Sequence, residues 1–428
     1  MKAKRSHLRL ISLGLLAAAS WPAPAFAIPV FARRYQTSCV TCHVAFPRLT
    51  PFGEAFMRQG YRFPEDDEGH VNQEPGDMEL GNPAYRDMFP SAVWPSSMPS
   101  IPPLAVVAHG WIGGDPFLGR EAPSELSFDN LGANVDLFLA AHLGKRFTVY
   151  GKLGVGTGPS VQVQHQRLFL SINDVLPDST IRVGQFVPEI FQANQSARTC
   201  TTCHFSMRRP VGQSQWNYGS QVGVEIADTV AHRLRYVVGV VEGNGNQPNL
   251  EKDFYVRLAA KLGGLSLDGR SGGTESSDNW VDNSVELGVF GYYGNAELAT
   301  ADEAGEPVTV RDRFFAAGGD VFATWRDVGL YGLALHEVHG QPTYADKQVR
   351  VERYVGRLRY VFFPWLVPEA TFEYFNTELD QDMTYQVMGT VDLLVRANMK
   401  VWLEVIGRRN VRAPFEFSSA RAVLDVGF

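Results

Sequence analysis

Beyond its first 27 residues the chain has no run of 18 or more apolar residues, which excludes a membrane-spanning helix. Cysteine is scarce. There are 4 in 428 residues, all within two five-residue runs, so none is left for a structural disulfide. A surplus of positive charge is also missing: 39 Lys and Arg against 46 Asp and Glu give a net charge of −7, which argues against nucleic acid as a partner. What the chain has in quantity is glycine, at 41 residues, and aromatics, at 12 %, a balance that suits many strands joined by many turns.

The two cysteine-bearing runs are Cys39-Val40-Thr41-Cys42-His43 and Cys200-Thr201-Thr202-Cys203-His204. In a C-x-x-C-H run the two thiols can add across the vinyl groups of haem, while the adjacent histidine binds the iron from below. Two intervening residues span the two vinyls, and a histidine placed directly after the second cysteine has little freedom in where its ring lands. A bare CxxC pair serves zinc or a redox disulfide as readily. Here both pairs carry the histidine, which a Cys₄ zinc site assembled from the two would not need. The expected cofactors are two covalently bound c-type haems. Cys39, Cys42, Cys200 and Cys203 are the anchors, and His43 and His204 are the iron ligands.

The N-terminus carries Lys2, Lys4, Arg5 and Arg9, an apolar run from Leu10 to Ala19, and Ala25-Phe26-Ala27. This is the pattern of a cleavable export signal spanning residues 1–27. Export fits haem attachment, which takes place on the far side of the cytoplasmic membrane.

Residues 28–103 read as a small cytochrome-like segment with a linker or plug. Phe52, Ala55 and Phe56 have helical spacing and predict a short amphipathic helix. From Pro64 to Pro103 the segment is acidic and Pro-rich and reads as irregular. Candidate sixth ligands for the first haem are Met57, His70, Met78, Met88 and Met98, with His109 and His165 as alternatives from the following strands. Met207 lies too close in sequence to His204 to reach the opposite ring face easily. Arg208 and Arg209 have the chemistry to pair with haem propionates, and a solvated loop face is an equal alternative. His336 and His339 read as polar surface or lumen residues.

The run PVFARRYQTSCVTCHVAFPRLTPFGEAFMRQGY, residues 29–61, resembles the N-terminal cytochrome part of the fused cytochrome-porin proteins of bacterial outer membranes. That group includes single-haem iron oxidases and porin-like c-type cytochromes of metal-respiring bacteria. The resemblance implies an outer-membrane barrel behind the haem segment and an extracellular redox partner such as iron. The second motif departs from the single-haem pattern, leaving substrate and direction of electron flow open.

From residue 104 to 428, segments of about ten residues alternate in polarity between turn residues, as strands of a transmembrane barrel do. Sixteen are expected: 104–113, 132–142, 145–155, 163–172, 180–187, 218–227, 232–241, 252–262, 284–293, 313–325, 328–338, 349–361, 366–376, 384–396, 399–409 and 420–428. The even count and the mostly short links after even-numbered strands suit a barrel with both termini on the periplasmic side. Residues 263–283 break this rule. Arg353, Arg357 and Arg359 share one face of their strand, opposite Tyr354, Leu358 and Tyr360. In the next strand Glu369 and Glu373 oppose Phe372 and Tyr374. The charged faces are expected to line the lumen and pair there. The soluble alternative is a two-sheet sandwich with one wet face. The C-terminus, ending Val423-Leu424-Asp425-Val426-Gly427-Phe428, alternates and closes on an aromatic like an outer-membrane assembly signal.

The expected fold is thus mainly β: an outer-membrane antiparallel barrel of about 16 strands with a small helical haem segment, and with the second motif in loop 188–217. The expected function is transfer of electrons across the Gram-negative outer membrane. Its partners are outer-membrane lipid, periplasmic electron carriers and an extracellular metal or cytochrome. The alternatives are a haem-gated porin channel and a dihaem peroxidase or reductase.

Overall fold

The structure is a computed structural model. It describes residues 30–65, 67–71, 77–78, 83–91, 98–99, 103–114, 131–143, 146–157, 161–192, 205–212, 214, 218–243, 251–301, 305–343, 347–379, 383–410 and 414–427. The export signal, Cys200, Cys203 and His204 lie outside them.

Sixteen strands form one closed antiparallel barrel. They are β1 Leu104–Gly114, β2 Leu131–Leu143, β3 Phe147–Thr157, β4 Val161–Asn173, β5 Thr180–Phe186, β6 Gln221–Val230, β7 Leu234–Val241 and β8 Asp253–Gly263. β9 Ser284–Ala301, β10 Pro307–Trp325, β11 Val328–His339, β12 Val349–Tyr360, β13 Leu366–Thr377, β14 Met383–Arg396, β15 Met399–Asn410 and β16 Glu416–Gly427 complete it. Each strand pairs with its sequence neighbours. β16 closes onto β1 with Leu424 opposite Gly110 and Asp425 opposite His109.

Period-two patterning decides which face goes where. In β6 the outward residues Val222, Val224 and Ile226 are exposed while Gln221, Glu225 and Ala227 are buried. β8 repeats this with Phe254, Val256 and Leu258 outside and Asp253, Tyr255 and Arg257 inside. Apolar residues thus face out and charges face in, the reverse of a soluble sandwich and the arrangement of a lipid-embedded barrel. Exposed aromatics flank the belt at both ends. Trp325, Phe362, Phe363 and Trp365 mark the short-turn end, and Phe315, Tyr293, Phe415 and Phe417 the other.

Two expectations need correction. The stretch 295–312, expected as a loop between the strands 284–293 and 313–325, is mostly strand, because β9 runs to Ala301 and β10 starts at Pro307. At 18 and 19 residues these strands exceed the ~9–11 needed to span a bilayer. The extension is laced by Arg311 to Glu297 at 2.7 Å and to Glu251 at 3.1 Å, so its polar sequence lacked the membrane alternation. The Pro64–Pro103 segment is also less irregular than expected. Asp67–His70 and Pro83–Met88 are helical, and Asp77–Met78 pairs with Met98–Pro99.

Ahead of the barrel, helix α1 (Val30–Tyr35), the turn α2 (Cys39–Cys42), a small hairpin (His43–Ala45 with Arg48–Leu49) and helix α3 (Pro51–Arg58) form one unit. Thr50 caps α3 by accepting the Gly53 N–H at 3.0 Å, and Pro51 occupies its first turn, where no donor is lost. As expected, α3 buries Ala55 and Phe56. Phe56 meets Phe31, Tyr35, Tyr61 and Phe63.

Candidate functional site

The N-terminal unit sits inside the barrel at the short-turn end, held by charges on the inner wall. Arg48, 4 % exposed, ion-pairs with Asp392 of β14 and, at 3.2 Å, with Glu369 of β13. Arg58 reaches Glu286 of β9 at 2.8 Å. Tyr61 stacks on Tyr150 of β3 with centroids 4.9 Å apart, and its carbonyl accepts from His142 of β2 at 2.9 Å. The long link after β8, which broke the spacing rule, supports this unit from below. Arg270 donates to the Pro64 carbonyl at 2.9 Å, and Asn279 donates to the Val40 carbonyl inside the first CxxCH run. Its length serves the insert, which strand periodicity does not encode.

The first motif is one tight turn strapped to α3. The His43 N–H donates to the Cys39 carbonyl, Thr50 N–H to the Cys42 carbonyl at 2.9 Å, and Thr50 Oγ1 to the Thr41 carbonyl at 2.9 Å. A Cβ on Gly53 would lie 2.1 Å from the Cys42 carbonyl oxygen, so only glycine lets helix and motif pack this closely. Cys39 and Cys42 are free thiols, both half-buried. Burial pushes the Cys42 thiol up to about 12, with the neighbouring Cys39 adding to it, and raises Cys39 as well. Redox-active CxxC pairs have lowered thiol pKa values, so this pair does not match that use.

His43 Nδ1 is sealed from solvent without a hydrogen-bond partner. Burial lowers the imidazole to about 4, against smaller opposing effects from the backbone of Pro47 and Arg48. A neutral imidazole with an orphaned buried nitrogen, one residue after two free thiols on one turn, fits covalent haem with an axial histidine.

The second motif lies outside the described residues, but both chain segments leading to it are described. The described arms of the link between β5 and β6 fold into the lumen: Ile190, Phe191 and Met207 are fully buried. On the way in, Glu189 pairs with Arg235 at 2.7 Å, the Ile190 carbonyl accepts from Arg257 at 3.0 Å, and Gln192 N–H donates to Asp320 at 2.7 Å. On the way out, Ser206 donates from N–H and Oγ to Glu373 at 2.7 and 2.9 Å, and Arg353 donates to the carbonyls of Ser206 and Arg209. The expected Arg–Glu pairing inside the barrel is present, with Arg353 on Glu337 at 2.6 Å and Arg357 on Glu369 at 3.5 Å. The two inserted segments meet around a cavity of about 50 Å³, lined by Arg48, Leu49 and Glu54 from one and Gln192 from the other.

The sixth-ligand candidates separate. His109 holds Asp425 at 2.7 Å and Asp136 at 3.2 Å, one carboxylate on each ring nitrogen, which leaves no nitrogen for iron. His70 stacks on Phe63 at 4.9 Å, and Met88 is 70 % exposed. Met57 is half-buried on α3. The side chains of Met78, Met98 and His165 are outside the described residues. Arg208 donates to Tyr218 Oη at 3.2 Å, and Arg209 lies over the Phe375 ring at 5.4 Å. His336 is exposed, whereas His339 is fully buried between Asp312 at 2.7 Å and Glu337 at 3.1 Å.

One cluster was not anticipated. Asp178, His232 and Asp268 bring three ligand atoms within 4.8 Å at the short-turn rim. Asp178 is already ion-paired with Arg270 at 2.7 Å and Asp268 is hydrogen-bonded to His232, so these contacts account for the cluster.

No family model matches the sequence, and no curated protein matches it. Among solved structures, OprB of Pseudomonas putida aligns with a TM-score of 0.51 at 10 % identity, covering 76 % of this chain and 94 % of that one. Salmonella typhi OmpF gives 0.48 at 12 % identity over 76 % and 97 %, and an anion-selective porin from Comamonas acidovorans gives 0.47 at 10 % over 76 % and 97 %. At such identities the likeness is one of fold. The chain is built on the closed antiparallel β-barrel of outer-membrane porins.

Proposed function

We propose that this chain is a dihaem c-type cytochrome-porin that carries single electrons across the outer membrane, between periplasmic carriers and an extracellular donor or acceptor such as iron. One observation carries the reading: the unit bearing the first CxxCH run is seated inside the barrel at one end, and the described arms flanking the second run, residues 187–192 and 205–212, pack against the inner wall of the same lumen. Bound haem supplies reversible one-electron exchange. Cys39, Cys42 and His43 hold the first, and Cys200, Cys203 and His204 the second. The protein's part is insulation and spacing. The apolar outer face seats the barrel in lipid, while the ion pairs of Arg48, Arg58 and Glu189 and the hydrogen bonds from Ser206 to Glu373 tie the described parts of the two motif-bearing segments to the inner wall.

The test uses purified protein in liposomes loaded with a reduced dye, with a ferric chelate added only outside. Rapid oxidation of the dye that is abolished in Cys42→Ser and in Cys203→Ser supports a wire through both haems. A dye that stays reduced while both haems respond to external reagent rejects it. A haem-gated solute channel, the second reading, draws on the porin-type fold and predicts solute flux that changes with haem redox state in the same vesicles.

A further inference from the structure

Helix α3 carries one acid that spacing and insulation leave unexplained. Glu54 directly follows Gly53, the residue pressed against the Cys42 carbonyl, so its Cα is about 4 Å further along the chain from the haem-anchoring turn. It lines the cavity of about 50 Å³ between the two inserted segments, a space sufficient for one or two water molecules. Its Oε2 is closed off from solvent and has no hydrogen-bond partner, and no cation among the described residues ion-pairs with it.

Most of the nearby cations are committed to other carboxylates. Arg58, four residues on along α3, is taken by Glu286 at 2.8 Å. Arg48 is taken by Asp392 and Glu369, and Arg357 by Glu369 at 3.5 Å. Arg359 lines the same cavity with its Nε unpartnered, and its positive charge also favours the Glu54 carboxylate. Glu189 on the in-folded loop and Glu286 on the wall oppose charge on Glu54, while Arg58 and Lys261 favour it. Burial outweighs the cations and pushes the carboxyl up to about 7. An acid in this state is neither a structural ion pair nor a fixed neutral group. It is free to bind or release a proton with little rearrangement.

We propose that Glu54 is a redox-linked proton site, which takes up one proton when the iron held by His43 is reduced and releases it on oxidation. This rests on the haem reading above. The balance is one electron from a one-electron donor outside the barrel, turning Fe(III) to Fe(II), and one proton from water, turning the Glu54 carboxylate to the carboxylic acid. The net charge of the site is unchanged. The cause is coulombic: the positive charge lost at the iron was stabilising the carboxylate. For unit charges on the order of 10 Å apart at an effective dielectric constant of ~20, such a loss raises proton affinity about tenfold. Electron entry at the first haem thereby becomes coupled to pH.

The experiment is a spectroelectrochemical titration of the full-length dihaem protein between about pH 5.5 and 8.5, the range bracketing the proton transfer. One of the two potentials is expected to fall with rising pH by up to about 59 mV per unit, and to become flat in Glu54→Gln with covalent haem content unchanged. A slope that survives in Glu54→Gln, or a flat wild type, overturns the proposal. Should Glu54→Gln fail to accumulate, redox-difference infrared spectroscopy on ¹³C-glutamate-labelled wild type decides. A label-sensitive carboxylic-acid C=O band gained on reduction supports the site, and none overturns it. Absence of covalent haem in the haemochrome assay instead sinks the haem reading itself, and this inference with it.

Discussion

Glu369 and Glu373 lie on the lumen face of β13, four residues apart, and each holds one of the two inserted segments: Glu369 takes Arg48 at 3.2 Å, and Glu373 takes the Ser206 N–H at 2.7 Å. Four residues of strand span about 13 Å. Arg48 is five residues past His43, and Ser206 two past His204. A single rigid strand therefore sets the spacing between the chain arms that leave the two motifs, and this spacing does not depend on loop conformation.

Removing the upper of these two anchors should loosen the loop and spare the barrel. In Glu373→Ala the Ser206 N–H and Oγ both lose their acceptor, at a cost of about 1–3 kcal/mol for the buried donors. Limited proteolysis is expected to cut the loop between residues 187 and 220 faster, with the barrel's heat-modified electrophoretic mobility unchanged. Equal protection in variant and wild type would show that Arg353 alone holds the arm.

How much of this was written in the sequence differs between wall and lumen. The strands were legible because lipid outside and charge inside impose strict alternation, as in Val222, Val224 and Ile226 against Gln221 and Glu225. Where no lipid imposes that rule the reading failed, as in the Arg311–Glu297 extension of β9 and β10. The first motif was legible as a covalent pattern. That Arg48 and Arg58 would dock it on Glu369, Asp392 and Glu286 was not, because each contact joins residues hundreds of positions apart. The candidate ligand His109 failed in part for the same reason: Asp136 lies on the next strand, but Asp425 on its other ring nitrogen comes from β16, 316 positions away.

Arg48→Ala should unseat the N-terminal unit. It leaves Asp392 and Glu369 buried with fewer partners, and breaking such a pair costs about 3–5 kcal/mol. The expected result in planar bilayers is frequent large-conductance openings, absent from wild type, as the lumen clears. Unchanged conductance would mean that Arg58 and the link after β8 suffice to hold the unit in place.

Gly53→Ala should act on the motif without touching a cysteine. A Cβ 2.1 Å from the Cys42 carbonyl oxygen forces α3 away from the turn it straps. Covalent haem at the first motif is expected to fall several-fold in the pyridine haemochrome assay, while Ala55→Gly, on the same helix, leaves it closer to wild type. Full haem loading in Gly53→Ala would show that the close approach of α3 to the motif is not needed for attachment.

Glu54 also predicts a stability profile independent of electron transfer. Its folded pKa of about 7 lies above the ordinary glutamate value, so the folded chain keeps a proton that the unfolded chain gives up from about pH 4.5 upward. Stability is fully present below that value, falls as pH rises toward 7, and levels off above it. Glu54→Gln removes the penalty. It should be close to wild type at about pH 4 and more stable at about pH 8, by at most about 3 kcal/mol. Denaturant unfolding of the N-terminal unit, followed by tryptophan fluorescence from Trp280 beside Val44, reads the difference at both pH values. A gain of equal size at pH 4 and pH 8 would assign the effect to packing and remove the buried ionisation from the account.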